Sequence, residues 1–372
     1  MRVLVNALSV NNLSGRHVLL GHLERLADWT YGEHDYLVLY HGRNSDLCRD
    51  LGGNVDWQQC SDLTAHWAGR AAWEVSSLDR LAKKANAAFM FTPSGTVVPG
   101  FDLPQVSFAQ NPWALVNGLD RSAAGHLKAA LQRRNYRSAV RKAAMMIFNS
   151  EYMRGLYRDN AGREEQASAV VYQAVDDKTH DVAAVMRETV VRKPLQVLSV
   201  SAMAPHKGAE TLVEAISLLH RQHGIPARLV MAGSWPDASY REKIENLIHQ
   251  CNMPQYVDIR GHVDRAELWQ LYAESQVFSL MSRCESFGIP AVEAQVFGTP
   301  VVSSDCCAIP EVCGQGGLFA ALGDAARTAE YLSKLLSDPA VWEEYSEVAL
   351  NNGARYRWES CSRGLLEMFD HI

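Results

Sequence analysis

Apolar and polar positions along this chain switch repeatedly between two periods. Short, nearly continuous apolar runs read as buried strands, and stretches with apolar residues every third or fourth position read as helices. The strand-like runs of the first half are Val3–Leu8, Asp35–Tyr40, Ala87–Thr92, Gln105–Phe108, Ala144–Asn149 and Ala169–Tyr172. Helical periodicity fills Arg16–Trp29, Val75–Ala85, His126–Lys142 and Ser150–Arg158 between them. A charged stretch from Asp176 to Lys193 breaks the alternation and reads as a connection. Strands then return at Leu195–Ser201, Arg228–Ala232, Val257–Arg260, Val277–Met281, Pro300–Ser303 and Gly317–Ala320, with helices at Ala209–His220, Ser239–Cys251, Arg265–Ala273 and Asp324–Leu336. Strands alternating with helices over short loops predict parallel sheets covered on both faces. The fold class is therefore α/β, with two Rossmann-like blocks joined near residues 176–194. Ligands of such sheets bind beyond the strand carboxyl ends, so a cleft between the blocks is the expected site.

The strand at Val277–Met281 leads into Glu285-Ser286-Phe287-Gly288-Ile289-Pro290-Ala291-Val292-Glu293, and the helix that follows stops at Phe297-Gly298-Thr299-Pro300. One carboxylate thus falls in a strand-to-helix loop and the other about two helical turns later. Between them lies a Gly-containing helix start, whose N–H groups and dipole favour an anion. A second candidate is Ser201-Ala202-Met203-Ala204-Pro205-His206-Lys207-Gly208, between a predicted strand and a helix. A third is Ser14-Gly15-Arg16-His17, which opens the first helix; Gly15 allows close backbone approach to an anion, and a plain helix cap is the alternative. No G-x-G-x-x-G follows the first strand, which argues against a dehydrogenase.

The Glu285–Glu293 phrase resembles the signature of retaining GT-B glycosyltransferases of the family 4 type, the glycosyl transferases group 1, and the spacings match that family across roughly residues 195–320. The resemblance implies two Rossmann-like domains facing across a cleft: an acceptor domain over 1–176, a nucleotide-sugar donor domain over 177–355, and a C-terminal helix over 356–372 packing back on the first. It implies that Glu285 contacts donor-sugar hydroxyls, Glu293 binds the ribose and Lys207 pairs with the diphosphate. The amides of Phe287, Gly288 and Ile289 are expected near the phosphates. Gly233 falls at the turn after the next strand, Val263 in the segment whose backbone holds the nucleobase, and Ser14 with Gly15 in the turn of the first domain that approaches the donor phosphates. The family's phosphate-binding Gly-Arg pair is replaced by Ser201 and Ala202, and Ala202 offers nothing to a phosphate; His206 and Arg283 are candidate substitutes. Many members carry His-Asp near the reacting sugar where Gln110 and Asn111 stand. Glutamine is no general base, so Gln110 either positions a hydroxyl or caps a loop. Retention without such a base fits a front-face mechanism, in which a leaving phosphate oxygen takes the acceptor proton.

Composition narrows the alternatives. A chain of 372 residues, 47% hydrophobic and 21% charged, is sized for two globular domains. No apolar run is long enough for a membrane-spanning helix, and Met1–Leu8 reads as a first strand, not a signal peptide. Eight scattered cysteines without a C-x-x-C pair point to a reducing cytoplasmic compartment, with vicinal Cys306 and Cys307 read as packed thiols. A net charge of −6 argues against nucleic acid as a partner. Residues 121–150 nevertheless hold seven basic side chains (Arg121, Lys128, Arg133, Arg134, Arg137, Arg141 and Lys142) and no acidic one. The helix through 121–142 reads either as a peripheral contact with an anionic inner-membrane face or as an ordinary solvated surface. No D-x-D element or His/Cys cluster suggests a metal, so no cofactor or metal is expected beside the nucleotide-sugar donor. The expected activity is metal-independent hexosyl transfer, from a UDP-sugar in preference to a GDP-sugar, to a saccharide or lipid-linked saccharide in polysaccharide or exopolysaccharide assembly. Glycosylation of a small molecule, or nucleotide-sugar binding with little turnover, are the alternatives.

Overall fold

The computed structural model describes residues 1–119, 121–165, 167–369 and 372. The chain forms two compact units. One comprises Met1–Asn117, Arg121–Ala174 and Trp358–Ile372, the other Gly118–Asp120 and Val175–Arg357.

The first unit is built on a parallel seven-stranded sheet: β1 (Arg2–Asn6), β2 (Asp35–Tyr40), β3 (Val55–Gln59), β4 (Phe89–Thr92), β5 (Gln105–Ala109), β6 (Met145–Phe148) and β7 (Ser168–Val170), in the order β3-β2-β1-β4-β5-β6-β7. The second is built on a parallel six-stranded sheet: β8 (Lys193–Val200), β9 (Arg228–Ala232), β10 (Val257–Gly261), β11 (Ser275–Leu280), β12 (Val301–Ser304) and β13 (Gly317–Ala320), in the order β10-β9-β8-β11-β12-β13. The central strands are buried on both faces, as their continuous apolar runs require. Each sheet reverses its winding once, between β1 and β4 in one and between β8 and β11 in the other.

Three readings of the sequence are corrected. Strand β3, Val55-Asp56-Trp57-Gln58-Gln59, is half exposed at a sheet edge and lacks an apolar run. The helical region predicted at Val75–Ala85 begins at Trp67 and passes through a wider turn at Glu74–Leu78 before resuming at Asp79–Lys84. The charged connection at 176–194 is largely a helix, Asp177–Thr189, inside the second unit. Its charges mislead because two of them serve buried carbonyls. Arg187 Nη1 donates to Val296 O at 2.8 Å, and Arg192 donates to Phe297 O at 2.6 Å, Ser275 O at 2.5 Å and Thr299 Oγ1 at 2.8 Å. Two of these acceptors are unsatisfied carbonyls at the carboxyl end of helix Ile289–Val296, where cations are favoured. Burial, then the neighbouring Arg187, pulls the Arg192 guanidinium down to about 10.

In the first unit the C-terminal segment completes the core. Leu365 and Phe369 are fully buried, and the Phe369 ring meets Phe89 and Phe91 edge-on at 5.0 and 5.5 Å. Trp358 lies so close to helix Leu13–Trp29 that a Cβ on Gly21 would come within 2.2 Å of its ring. Beside it, His22 is buried, its Nδ1 hydrogen-bonded with Ser362 Oγ at 2.9 Å.

In the second unit a close backbone approach occurs at Gly208, which has φ +69°. A Cβ there would lie 2.1 Å from Met281 O, just past β11. At the next loop Gly233, φ +133°, stands where a Cβ would lie 1.8 Å from Ser201 O.

Two consequences are measurable. Gly208→Ala should cost about 2 kcal/mol or more in a denaturant titration, since left-handed strain and overlap with backbone add. Gly224→Ala, with φ +67° and nothing within 4 Å of its Cβ position, should cost only the left-handed term, about 1 kcal/mol; equal losses would remove the close-approach argument. Burial, then the charge of His17, pushes His22 from 6.5 to about 3. The unfolded chain therefore binds a proton that the native core refuses, and stability present above pH 6.5 is lost as pH falls toward 3. His22→Gln should flatten that acid limb, and an unchanged slope would exclude His22 as a source of it.

Candidate functional site

The winding of the second sheet reverses between β8 and β11, and open parallel sheets bind ligands at that point, beyond the strand carboxyl ends. The two loops that leave these strands carry Lys207 and Glu285. After β8 the chain runs through a single tight turn, Pro205–Lys207, and Gly208 then turns it into helix Ala209–His223. After β11 it runs through Ser282–Phe287 to Gly288, whose φ of +95° starts helix Ile289–Val296.

Backbone bonds lock the two loops together. The His206 carbonyl accepts from Arg283 N at 2.8 Å and from Ser282 Oγ at 3.2 Å. With the loops so fixed, Lys207 Nζ meets Glu285 Oε1 at 2.5 Å, with only 15% and 16% of the two side chains exposed. The bond uses one of three ammonium donors and one of several carboxylate lone pairs, leaving capacity for a ligand on both partners. A third segment closes the group: Ala308 N donates to Glu285 O at 3.3 Å, and Ser304 Oγ donates to Ser282 O.

Glu293 lies within helix Ile289–Val296, half exposed, and accepts from the phenol of Tyr272 at 2.9 Å. Tyr272 is fully buried, its ring stacked on Phe297 at 5.6 Å. Burial, and after it the Glu293 charge, pushes its pKa well above the usual tyrosine value. The phenol therefore stays a donor and holds the carboxylate in one orientation. No sequence rule pairs Tyr272 with Glu293; only the packing of their two helices does.

The other predicted residues are placed as follows. Gly288 is the helix-capping residue and contributes no side chain to the helix start, Ile289 is the first helical residue, and the Phe287 side chain is core, edge-on to Tyr356 at 5.4 Å. Gly233 N donates to Gly261 O at 2.6 Å, joining the loops after β9 and β10, and Val263 sits half exposed just beyond. Ala202 is exposed. His206 is no cationic substitute at neutral pH, because burial, then the Lys207 charge, lowers its pKa. Arg283 is exposed beside Cys284.

In the first unit, helix Leu13–Trp29 is capped by Asn12, whose Oδ1 accepts the Gly15 amide at 2.7 Å. A Cβ on Gly15 would stand 2.8 Å from that oxygen, and the bond to Asn12 engages the Gly15 N–H as a helix cap does; Ser14 lies in the same first turn. Gln110 follows β5 directly, half exposed, with a buried Nε2 that has no hydrogen-bond partner. Among the described residues no group of three or more His, Cys, Asp or Glu side chains is arranged to hold a metal ion.

The profile of the family Glycosyl transferases group 1 matches residues 185–355. The O-antigen chain mannosyltransferase B of Escherichia coli is 29% identical over 168 residues, covering 44% of this chain and 43% of that protein. The D-inositol 3-phosphate glycosyltransferase of Corynebacterium urealyticum is 31% identical over 169 residues, covering 44% of this chain and 40% of that one. The chain thus spans less than half the length of these curated relatives. Among solved structures, Anabaena Alr3699/HepE in complex with UDP-glucose superimposes with a TM-score of 0.76 at 18% identity over the whole of both chains. The apo lipopolysaccharide outer core galactosyltransferase WaaB does so with a TM-score of 0.71 at 16% identity, again over both whole chains. With two parallel sheets of this order the chain has the GT-B fold, and residues 185–355, most of its second unit, are similar to the glycosyl transferases group 1 family.

Proposed function

We propose that this protein is a retaining hexosyltransferase that uses a nucleotide sugar, UDP-linked in preference to GDP-linked, and an acceptor that is a saccharide or lipid-linked saccharide in polysaccharide assembly. The observation that carries the reading is the Lys207–Glu285 pair, held by two locked loops at the winding reversal of the second sheet. Glu285 accepts donor-sugar hydroxyls and Glu293 the ribose hydroxyls; a carboxylate takes two such bonds and makes them strong. Lys207 offers its remaining ammonium donors to the diphosphate and offsets the charge that grows there as the glycosidic bond breaks. The transfer proceeds without a metal, and the start of helix Ile289–Val296 supplies the rest of the anion stabilisation. The acceptor proton passes to the leaving phosphate oxygen. The roles given to Gln110, Ser14 and Gly15 belong to the first unit and rest on the family resemblance alone. The UDP-glucose held by the Anabaena protein and the mannosyl transfer named for the E. coli protein support a hexose donor.

The helix Ala123–Lys142 adds a second element. Its buried side is Ala129, Tyr136, Ala139 and Val140, while Leu127 (65% exposed) and Leu131 (49% exposed) stand one turn apart on the outside among Lys128, Arg134 and Arg137. A solvated face accounts for the cations but not for two exposed leucines; an anionic membrane surface accounts for both. Arg133 is set apart from this face because it is half buried and its Nε donates to Ala114 O at 2.7 Å. Among the described residues no helix is long and apolar enough to cross a membrane, and the reading is a cytoplasmic protein bound peripherally.

Incubation with UDP-, GDP- and ADP-sugars should reveal one donor that raises the melting temperature and is slowly hydrolysed to free nucleotide. Stabilisation without hydrolysis would favour a nucleotide-sugar-binding protein, the reading that the exposed Ala202 methyl supports. Lys207→Met and Glu285→Gln should each lower turnover by about 10² or more. The double variant removes the unpaired charge that either single change leaves, so its turnover should stay low while its stability recovers. Near-normal turnover in either single variant would end that residue's assignment. Replacing Lys128, Arg134 and Arg137 by Ser should weaken binding to anionic vesicles by about 1 kcal/mol per residue, and unaltered binding would return the helix to the solvated-face reading.

A further inference from the structure

The first sheet reverses its winding between β1 and β4, the place where open parallel sheets bind ligands. On one face of these strands Leu4 and Met90 lie in a single apolar cluster with Leu78 and Ala82 of the helical segment above. One pleat further on, that face turns polar. Alternation brings Asn6 after Leu4 and Thr92 after Met90, and the pairing of Val5 with Phe91 makes the two neighbours. Both are buried, Asn6 2% and Thr92 4% exposed, and Thr92 Oγ1 has no hydrogen-bond partner. Glu74 reaches this polar end from the first residue of the wider turn Glu74–Leu78, and Asn6 Nδ2 donates to its Oε1 at 2.8 Å. Turns of this kind are frequent at functional sites. Four residues earlier on the same segment, Arg70 Nη1 donates to Leu8 O at 3.2 Å.

A carboxylate withdrawn from water for structural reasons is ordinarily saturated with donors. Glu165 of the same unit is an example: it accepts from Arg158 Nε and Nη2 and from Ser168 Oγ. Burial pushes Glu165 up, but those bonds outweigh it and hold the carboxyl below its usual value. Glu74 is the opposite case. Burial raises its pKa, and the Asn6 bond and the Arg70 charge, which both lower it, do not compensate. Among the described residues Asn6 is its one hydrogen-bond partner, and Oε2 is neither bonded nor sealed from the surface. A desolvated charge and an orphaned hydroxyl side by side are costs that folding alone does not recover.

We propose that Glu74, positioned by Asn6 and flanked by Thr92, binds the hydroxyls of an uncharged sugar ring, and that this ring belongs to the acceptor. Glu74 Oε2 accepts one ring hydroxyl in a charge-assisted bond. The Thr92 hydroxyl, able to donate and to accept, meets a second. Charge selects the ligand class. The carboxylate repels a phosphate or carboxylate group at this position, and the Arg70 guanidinium beside it opposes an ammonium, so a neutral hydroxyl is the group that fits. The acceptor role rests on the transferase reading of Lys207 and Glu285; the saccharide site does not.

The test records saturation-transfer NMR on the full chain, with methyl glycosides of neutral hexoses as probes beside glucosamine and hexose 6-phosphates. A neutral glycoside should bind, and the charged probes should bind more weakly. Glu74→Gln keeps the oxygen held by Asn6 but removes the charge, and should weaken the glycoside about tenfold. Thr92→Val removes only the orphaned hydroxyl and should weaken it about threefold. Both variants should melt at or above the wild-type temperature, since each deletes a group buried without full compensation. A structural role requires the reverse, so a lowered melting temperature with unaltered glycoside binding would overturn the site. Binding of no neutral glycoside, or tighter binding of glucosamine, would overturn it too. The donor panel above separates the two readings. If no sugar nucleotide responds while Glu74-dependent glycoside binding persists, the acceptor role falls and the saccharide site stands. If a donor does respond, Glu74→Gln should raise the acceptor KM, and an unchanged KM would end the acceptor role.

Discussion

No side chain fits between residue 208 and the carbonyl of Met281, and the arrangement of the edge that carries the candidate site in the second unit follows from that contact. With only a hydrogen at that position, the loop after β8 sinks against the end of β11. Two bonds to the His206 carbonyl then fix the loops, and Lys207 and Glu285 meet although 78 residues separate them. Gly233 repeats the device one strand away. Backbone is packed on backbone along this edge, so the side chains that project from it have little freedom of position.

Glu293 is governed differently. Its helix is short, Ile289–Val296, and its carboxyl end would present bare carbonyls to a buried environment. Arg187 and Arg192 reach those carbonyls from a segment of the chain about a hundred residues earlier, and Tyr272 orients the carboxylate itself. One glutamate is thus set by the closeness of two loops, the other by cations and a phenol acting on the helix that bears it. The two carboxylates share a nine-residue phrase in the sequence but not a means of support.

The sequence was most informative where local chemistry repeats. The central strands, buried on both faces, announced themselves as apolar runs, and Asp35–Tyr40, Arg228–Ala232 and Gly317–Ala320 were read to the residue. The half-exposed edge strand Val55–Gln59 gave no such signal. The Asp177–Thr189 segment looked like a connection because charge usually means solvent, whereas two of the arginines around it neutralise a helix terminus. Glu285, Glu293 and Lys207 stood out through a motif. Their partners Tyr272 and Ser282 depend on tertiary packing, and the engagement of the Gly15 amide depends on Asn12 serving as the cap in preference to its neighbours.

The Trp358 ring on Gly21 has a consequence for how the molecule is made. The first unit is assembled from residues that precede the second unit and residues that follow it. A ribosome delivers helix Leu13–Trp29 and most of the first sheet early, but the indole, Leu365 and Phe369 that cover them emerge only after the whole of the second unit. Until then the first sheet carries an open apolar seam, while every residue from Val175 to Arg357 is already available to fold. The unit begun first is therefore finished second, and its nascent form is the stage at which the protein most needs shelter from aggregation.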